Sequence, residues 1–253
     1  MRSCMFLLRV LGLVAMLVTP WAVGAQQITV SAAASLMDAF KAIGPKFEAS
    51  KPGAIVRFNF GASGALLQQI DQGAPVDILV SADQETMRKG VEQKLIDADS
   101  RKNFVTNTLV MVEPAKGGLG LQSLQDLKLA SVRKIAIGKV ATVPVGRYTQ
   151  QALESANLWI TLQPKLVQAD NTRQVLDYVA RGEVEVGFVY RTDAAVMANQ
   201  VKIVLNPTGY TPIAYPLAVV SSSTQKALAK DFIHFLFTDA AQQVLARYGF
   251  GKP

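Results

Sequence analysis

Ile28-Thr29-Val30-Ser31-Ala32-Ala33-Ala34-Ser35-Leu36-Met37-Asp38-Ala39-Phe40 and Ile55-Val56-Arg57-Phe58-Asn59-Phe60-Gly61-Ala62-Ser63-Gly64-Ala65-Leu66-Leu67 share one phrase. In each, a short apolar strand runs into a small-residue turn carrying a serine, and the turn opens a helix. A serine at a helix start presents a hydroxyl and free backbone N–H groups where the helix dipole is positive. Flanked by residues too small to block access, it forms an anion cradle. Two such cradles on parallel strands would face one crevice at the carboxyl ends of the sheet, where open α/β folds bind ligands.

The alternation of strand and helix signals continues through most of the chain and predicts parallel α/β units. Val76 to Ser81 reads as a strand, followed by a helix through Met87 and Val91, with Ser81 and Gln84 at capping-box spacing. Thr108 to Val112 reads as a strand that stops at Pro114. Lys134 to Gly138 is another, leading through Thr142-Val143-Pro144-Val145-Gly146 into a helix over Tyr148 to Ala156. Leu166-Val167 leads to Asp170-Asn171-Thr172 and a helix with apolar face Val175, Leu176, Val179 and Ala180, which Gly182 should end. Glu183 to Tyr190 alternates like a strand, Leu217 to Val220 is a further strand, and helical patterns run on to Tyr248. The expected organisation is two α/β lobes joined by strands that cross near residues 105–113 and 213–222. Residues 26–106 would form the first part of lobe I, 107–216 lobe II, and 217–253 the return to lobe I.

Residues 1–25 read as a secretory signal, with Arg2 and Arg9, an apolar run from Val10 to Val18, and small residues Val23-Gly24-Ala25 before a cleavage point behind Ala25. The run is too short for a comfortable membrane span, so the mature protein is expected in the periplasm. Cys4 is the only cysteine of the 253 residues and precedes the apolar run, so it is not placed for lipid modification and leaves with the signal. The mature chain then has no disulfide, thiol nucleophile or thiolate metal site. Of 26 basic and 19 acidic residues the signal removes two arginines, leaving a net charge of +5. No like-charge run or basic stripe interleaved with aromatics suggests nucleic acid.

Four turns share the strand-to-helix geometry, centred on Ser35, Ser63, Val145 and Thr172, and Tyr190 adds a polar group at the end of a strand. None of the five is charged. A pocket built from them donates hydrogen bonds and offers neither a carboxylate acceptor nor a cation, which suits a fully ionised oxyanion. A protonated anion would bring a proton with no acceptor, at a cost of roughly 1–3 kcal/mol. Asp38, three residues after Ser35, is awkward near an anion, and its spacing predicts a capping box that turns it back to the backbone. Taken singly, each serine is an ordinary helix cap, Val145 a first-turn residue and Tyr190 a core aromatic.

Together with Gly73-Ala74-Pro75-Val76-Asp77-Ile78, Ser81-Ala82-Asp83-Gln84, Asn107-Thr108-Leu109-Val110, Gly187-Phe188-Val189-Tyr190 and Arg247-Tyr248-Gly249-Phe250, these turns closely resemble the periplasmic molybdate-binding proteins of ABC uptake systems. The resemblance runs over essentially the whole mature chain. It implies an α/β, two-lobed type II periplasmic binding-protein fold, each lobe a mainly parallel sheet flanked by helices, closing on molybdate or tungstate. Carried onto matching positions, it assigns ligand contacts to the hydroxyls of Ser35, Ser63 and Tyr190 and to the main-chain N–H groups of Val145 and Thr172, all reaching the metal only through the anion's oxygens. The second turn departs from the more serine-rich version, since Gly61, Ala62 and Gly64 leave Ser63 as its only hydroxyl. No cofactor is implied, the protein would be a monomer, and its partners would be an inner-membrane ABC permease and its ATPase.

Sulfate or another small oxyanion keeps the same fold with a different ligand. A serine hydrolase built on Ser35 or Ser63 needs a base, and the sole histidine, His234, lies in the apolar run Phe232 to Phe237 with no nucleophile elbow nearby. Phosphoryl transfer lacks a G-x-x-x-x-G-K-[ST] loop, so a binding protein rather than an enzyme is expected.

Overall fold

A computed structural model describes residues 26–253; the expected signal sequence and the expected cleavage point behind Ala25 lie outside the described residues. The first elements are β1 (Gln26–Ala33), α1 (Met37–Ser50), β2 (Ala54–Gly61), α2 (Ser63–Asp71), β3 (Ile78–Val80), α3 (Gln84–Glu92) and β4 (Lys102–Asn107). Then come β5 (Leu109–Pro114), β6 (Ile135–Gly138), α4 (Pro144–Ser155), α5 (Trp159–Leu162), β7 (Leu166–Ala169), α6 (Thr172–Ala180), β8 (Val186–Tyr190), α7 (Arg191–Val196) and β9 (Val201–Leu205). The chain finishes with β10 (Ile213–Val219), α8 (Lys226–Leu236) and α9 (Asp239–Arg247).

Two five-stranded sheets have the same plan, in the orders β2-β1-β3-β10-β4 and β7-β6-β8-β5-β9. In each, three parallel strands are followed by one reversed strand, β10 or β5, and a fifth antiparallel to that one. Each sheet carries one lobe, so both lobes are mainly parallel α/β units. The reversed strand of each sheet is the one that has just arrived from the other lobe. The first lobe is therefore discontinuous in sequence, while the strands of the second form one run between the two crossings.

The first crossing is a single residue, Thr108, between β4 in one sheet and β5 in the other. Sequence periodicity reads a strand only from Thr108 onward; β4 ahead of it has just Phe104 and Val105 as apolar residues, too few to show an alternation. The return strand begins at Ile213, four residues ahead of its sequence expectation, because Pro216 lies inside it. A register shift between Tyr215 and Pro216 accommodates the proline, and the Pro216 carbonyl still accepts Ser81 N–H at 2.9 Å.

Core packing explains the helix faces. In α1, Phe40, Ile43 and Phe47 at helical spacing are buried, and the Phe40 and Phe47 rings meet Phe232 of α8 at 6.2 and 5.1 Å between centroids. In the second lobe Val175, Leu176 and Val179 of α6 pack with Val110, Val112, Ala136 and Val189. Gly182, with φ of 68°, follows that helix as expected. His234 is exposed near the end of α8. No described helix is long and apolar enough to cross a membrane, and no group of histidine, cysteine and acidic side chains suited to a metal ion occurs among the described residues.

Candidate functional site

Ser35, Ser63, Val145, Thr172 and Tyr190 line one small cavity between the lobes, together with small or apolar neighbours such as Ala33, Ala62, Ala82 and Pro144. Ser35 and Ser63 come from the turns after β1 and β2, Val145 and Thr172 from the starts of α4 and α6 that follow β6 and β7, and Tyr190 from the end of β8. Every one of the five is 4% exposed or less. No charged side chain lines the cavity.

Neither serine is a helix cap. Ser35 sits inside a 3-10 turn, Ala34–Leu36, and α2 has Ala62 at its N-cap, both without a side-chain cap bond. Each hydroxyl oxygen instead has a partner from elsewhere in its lobe: Ala82 N–H donates to Ser63 Oγ at 3.0 Å, and the Tyr215 hydroxyl lies 2.9 Å from Ser35 Oγ. Ser63, Val145 and Thr172 are all first-turn residues of α2, α4 and α6, where N–H groups have no intrahelical acceptor. Pro144 at the start of α4 fixes the entry angle. Gly146 lets this turn close on β6, since a Cβ there would sit 2.1 Å from the Gly138 carbonyl oxygen.

Thr172 is committed through its hydroxyl, which donates to Asp193 Oδ2 at 2.8 Å; its N–H is the group left for the cavity. Asp193 also accepts Tyr190 N–H at 3.3 Å and so ties two site residues together. Burial pushes the Asp193 carboxyl up, against the pull of Arg173. Tyr190 presents a buried hydroxyl with no hydrogen-bond partner in the protein. Burial, with Tyr215 beside it, pushes its pKa well above the ordinary tyrosine value, so it remains a neutral donor. Their rings meet edge-on at 5.8 Å.

Two arginines of the second lobe flank the cavity, and each is met by a carboxylate of the first. Arg173 Nη2 lies 2.7 Å from Asp38 Oδ2, and its Nε 2.8 Å from Asp193 Oδ1. The capping-box expectation for Asp38 is thus corrected: the carboxylate reaches across the cleft, because Arg173, aimed at it from the start of α6, outcompetes a backbone N–H for the charge. Arg147 donates to Asp83 Oδ2 through Nε at 2.8 Å and Nη2 at 2.5 Å, and to Thr86 Oγ1 at 3.0 Å. Asp83 is also the N-cap of α3, accepting Thr86 N–H through Oδ1 at 3.1 Å. The expected Ser81 capping box is replaced by this arrangement, in which Ser81 Oγ donates to Asp83 Oδ1.

The backbones of the lobes also touch. Gly64 N–H donates to the Thr142 carbonyl at 2.9 Å, and a Cβ on residue 64 would lie 2.7 Å from that oxygen. Sequence reasoning missed this contact, the two arginine bridges and Tyr215. Asn107, Asp83 and Gly64 do fall inside the runs that carry the family resemblance, which was the available signal for them. Tyr215 and Arg173 had none.

Two similar lobes, joined by strands that cross between them and meeting at a donor-lined cavity, define the class of two-lobed solute-binding proteins. A family profile described as bacterial extracellular solute-binding protein matches residues 28–251. The molybdate-binding protein ModA of Escherichia coli (strain K12) is 37% identical over 231 residues, covering 88% of each chain. A putative ABC transporter substrate-binding lipoprotein of Bacillus subtilis (strain 168), YvgL, is 37% identical over 225 residues, 88% of this chain and 85% of that one. Among solved structures, the Azotobacter vinelandii periplasmic molybdate-binding protein superposes with a TM-score of 0.78 at 26% identity, covering 89% of this chain and 99% of that one. The chain belongs to the bacterial extracellular solute-binding protein family, a family of binding proteins rather than enzymes.

Proposed function

We propose that this protein is a periplasmic receptor that captures molybdate, and tungstate with it, and delivers it to an ABC permease and its ATPase. The observation that carries the reading is the Tyr190 hydroxyl, buried in a cavity lined by no charged group and without a protein partner. An unmet buried donor costs about 1–3 kcal/mol, a cost that an anion oxygen relieves. In this reading Ser35, Ser63 and Tyr190 bond the anion through hydroxyls, and Val145 and Thr172 through N–H groups. Each charge-assisted bond contributes about 1.5–3 kcal/mol, so five offset desolvation of a dianion with no arginine in contact. The metal is reached only through its oxygens, and no resident cofactor takes part. The relatives named for molybdate support the ligand class, and the small cavity supports a single compact anion.

The receptor works as an exported monomer, with the signal cleaved behind Ala25. Ligand bridging the lobes favours closure by its differential affinity for the closed form, and the closed form is what the permease reads. Calorimetric titration with molybdate, tungstate, sulfate and phosphate tests the reading. One-to-one heat from the first two and none from phosphate is expected. Sulfate binding in place of molybdate would keep the mechanism and reassign the ligand, and silence from all four would refute the oxyanion receptor.

A further inference from the structure

The Tyr215 hydroxyl lies behind Ser35 rather than in the cavity lining. Its neighbours fix the direction of every proton around it. Asn107 Oδ1 accepts Thr108 N–H at 2.9 Å, which orients the amide, so Nδ2 faces the other way. That nitrogen donates to Thr192 Oγ1 at 2.9 Å and to the Tyr215 hydroxyl at 3.2 Å. An amide NH2 only donates, so Tyr215 accepts there. Its own proton then has one acceptor within reach among the described residues, Ser35 Oγ at 2.9 Å. Tyr215 is fully buried, and burial raises its pKa well above the ordinary value, so the proton stays on the phenol.

From this chain we infer that Tyr215, oriented by Asn107, is a specificity-determining positioning residue: its proton fills one of the two acceptor positions of Ser35 Oγ, so the serine proton turns away from Tyr215 and toward the cavity. This rests on the oxyanion reading proposed above and deepens it. A serine left alone both donates and accepts, and so tolerates a protonated anion such as hydrogen phosphate. Ser35, with Tyr215 behind it, and Ser63, with Ala82 N–H behind it, are biased toward donation. Rejection of protonated oxyanions is thus built into the layer behind the site and not only into the groups that touch the ligand.

The test compares dissociation constants for molybdate and phosphate, at neutral pH, in the unaltered protein, in Tyr215→Phe and in Asn107→Leu. Freed from Tyr215, Ser35 Oγ can accept the phosphate proton, so the ratio of phosphate to molybdate dissociation constants should fall at least about ten-fold in Tyr215→Phe. Asn107→Leu frees the Tyr215 oxygen to accept from Ser35 and should move the ratio the same way, which keeps the test alive if one variant does not fold. A purely structural role would weaken both anions by the same factor, and an unchanged ratio in the folded variants overturns the inference. Failure of the unaltered protein to bind molybdate would instead defeat the oxyanion reading itself, so the two failures are distinguishable.

Discussion

Arg147 of the second lobe places its Nη2 2.5 Å from Asp83 Oδ2 of the first. Their side chains are 14% and 6% exposed, so the pair is largely withdrawn from water. With Arg173 and Asp38 on the other flank and Gly64 N–H on the Thr142 carbonyl, it holds the lobes in a closed arrangement. These contacts span the cleft and would be lost on opening. Charge is thereby kept beside the cavity but out of it, with each cation satisfied by a protein carboxylate.

Arg147→Met leaves Asp83 buried without its cation in the closed form only. Truncating one member of a buried, hydrogen-bonded charge pair across an interface costs about 2–5 kcal/mol. Molybdate affinity should therefore fall by at least about 30-fold, mainly through a faster off-rate, as measured by stopped-flow fluorescence.

Gly64→Ala tests the backbone contact. Alanine is the better helix former by roughly 0.5–1 kcal/mol, so the first lobe itself is not weakened. The added Cβ meets the Thr142 oxygen at 2.7 Å and props the cleft. Small-angle scattering with saturating molybdate should give a larger radius of gyration than for the unaltered protein, together with weaker binding.

Ser35→Ala and Ser63→Ala each remove one charge-assisted donor, a loss of about 1.5–3 kcal/mol, or roughly 10- to 150-fold in affinity. Thermal melts without ligand should confirm that both variants fold, since neither hydroxyl caps a helix. Unchanged affinity in both would remove these serines from the site.

The pH response follows from Tyr190. Its pKa is raised by burial, so the phenol remains a neutral donor past the ordinary value, and molybdate affinity should be flat from about pH 6 to pH 9. A folded-state pKa above the unfolded one gives stability that is complete below the unfolded value and lost as pH rises through the folded one. Melting temperature should thus fall above about pH 10, and more steeply than in Tyr190→Phe.

Much of this was legible in the sequence because the site is built from local signals. A strand, a small-residue turn and a helix start lie within a dozen residues, and such a unit predicts its own N-terminal geometry for Ser35, Ser63, Val145 and Thr172. What the chain could not show was pairing over long separations. Asp38 follows a perfect local capping spacing, yet its partner is Arg173, 135 positions away, and no periodicity reports that. Tyr215 sits before a proline in a strand that reads poorly, and its tie to Ser35 depends on the second crossing, after β9, which returns β10 between β3 and β4. β4 carries an equally weak local signal, since of its six residues only Phe104 and Val105 are apolar.

The most direct test is a crystal structure of the protein grown with molybdate, with the anion located by the anomalous signal of molybdenum. The account predicts one anion in the cavity, with its oxygens within hydrogen-bond distance of the Ser35, Ser63 and Tyr190 hydroxyls and the Val145 and Thr172 N–H groups, and with Arg147 and Arg173 still on their carboxylates. An anion held instead by either arginine, or bound outside this cavity, would contradict it.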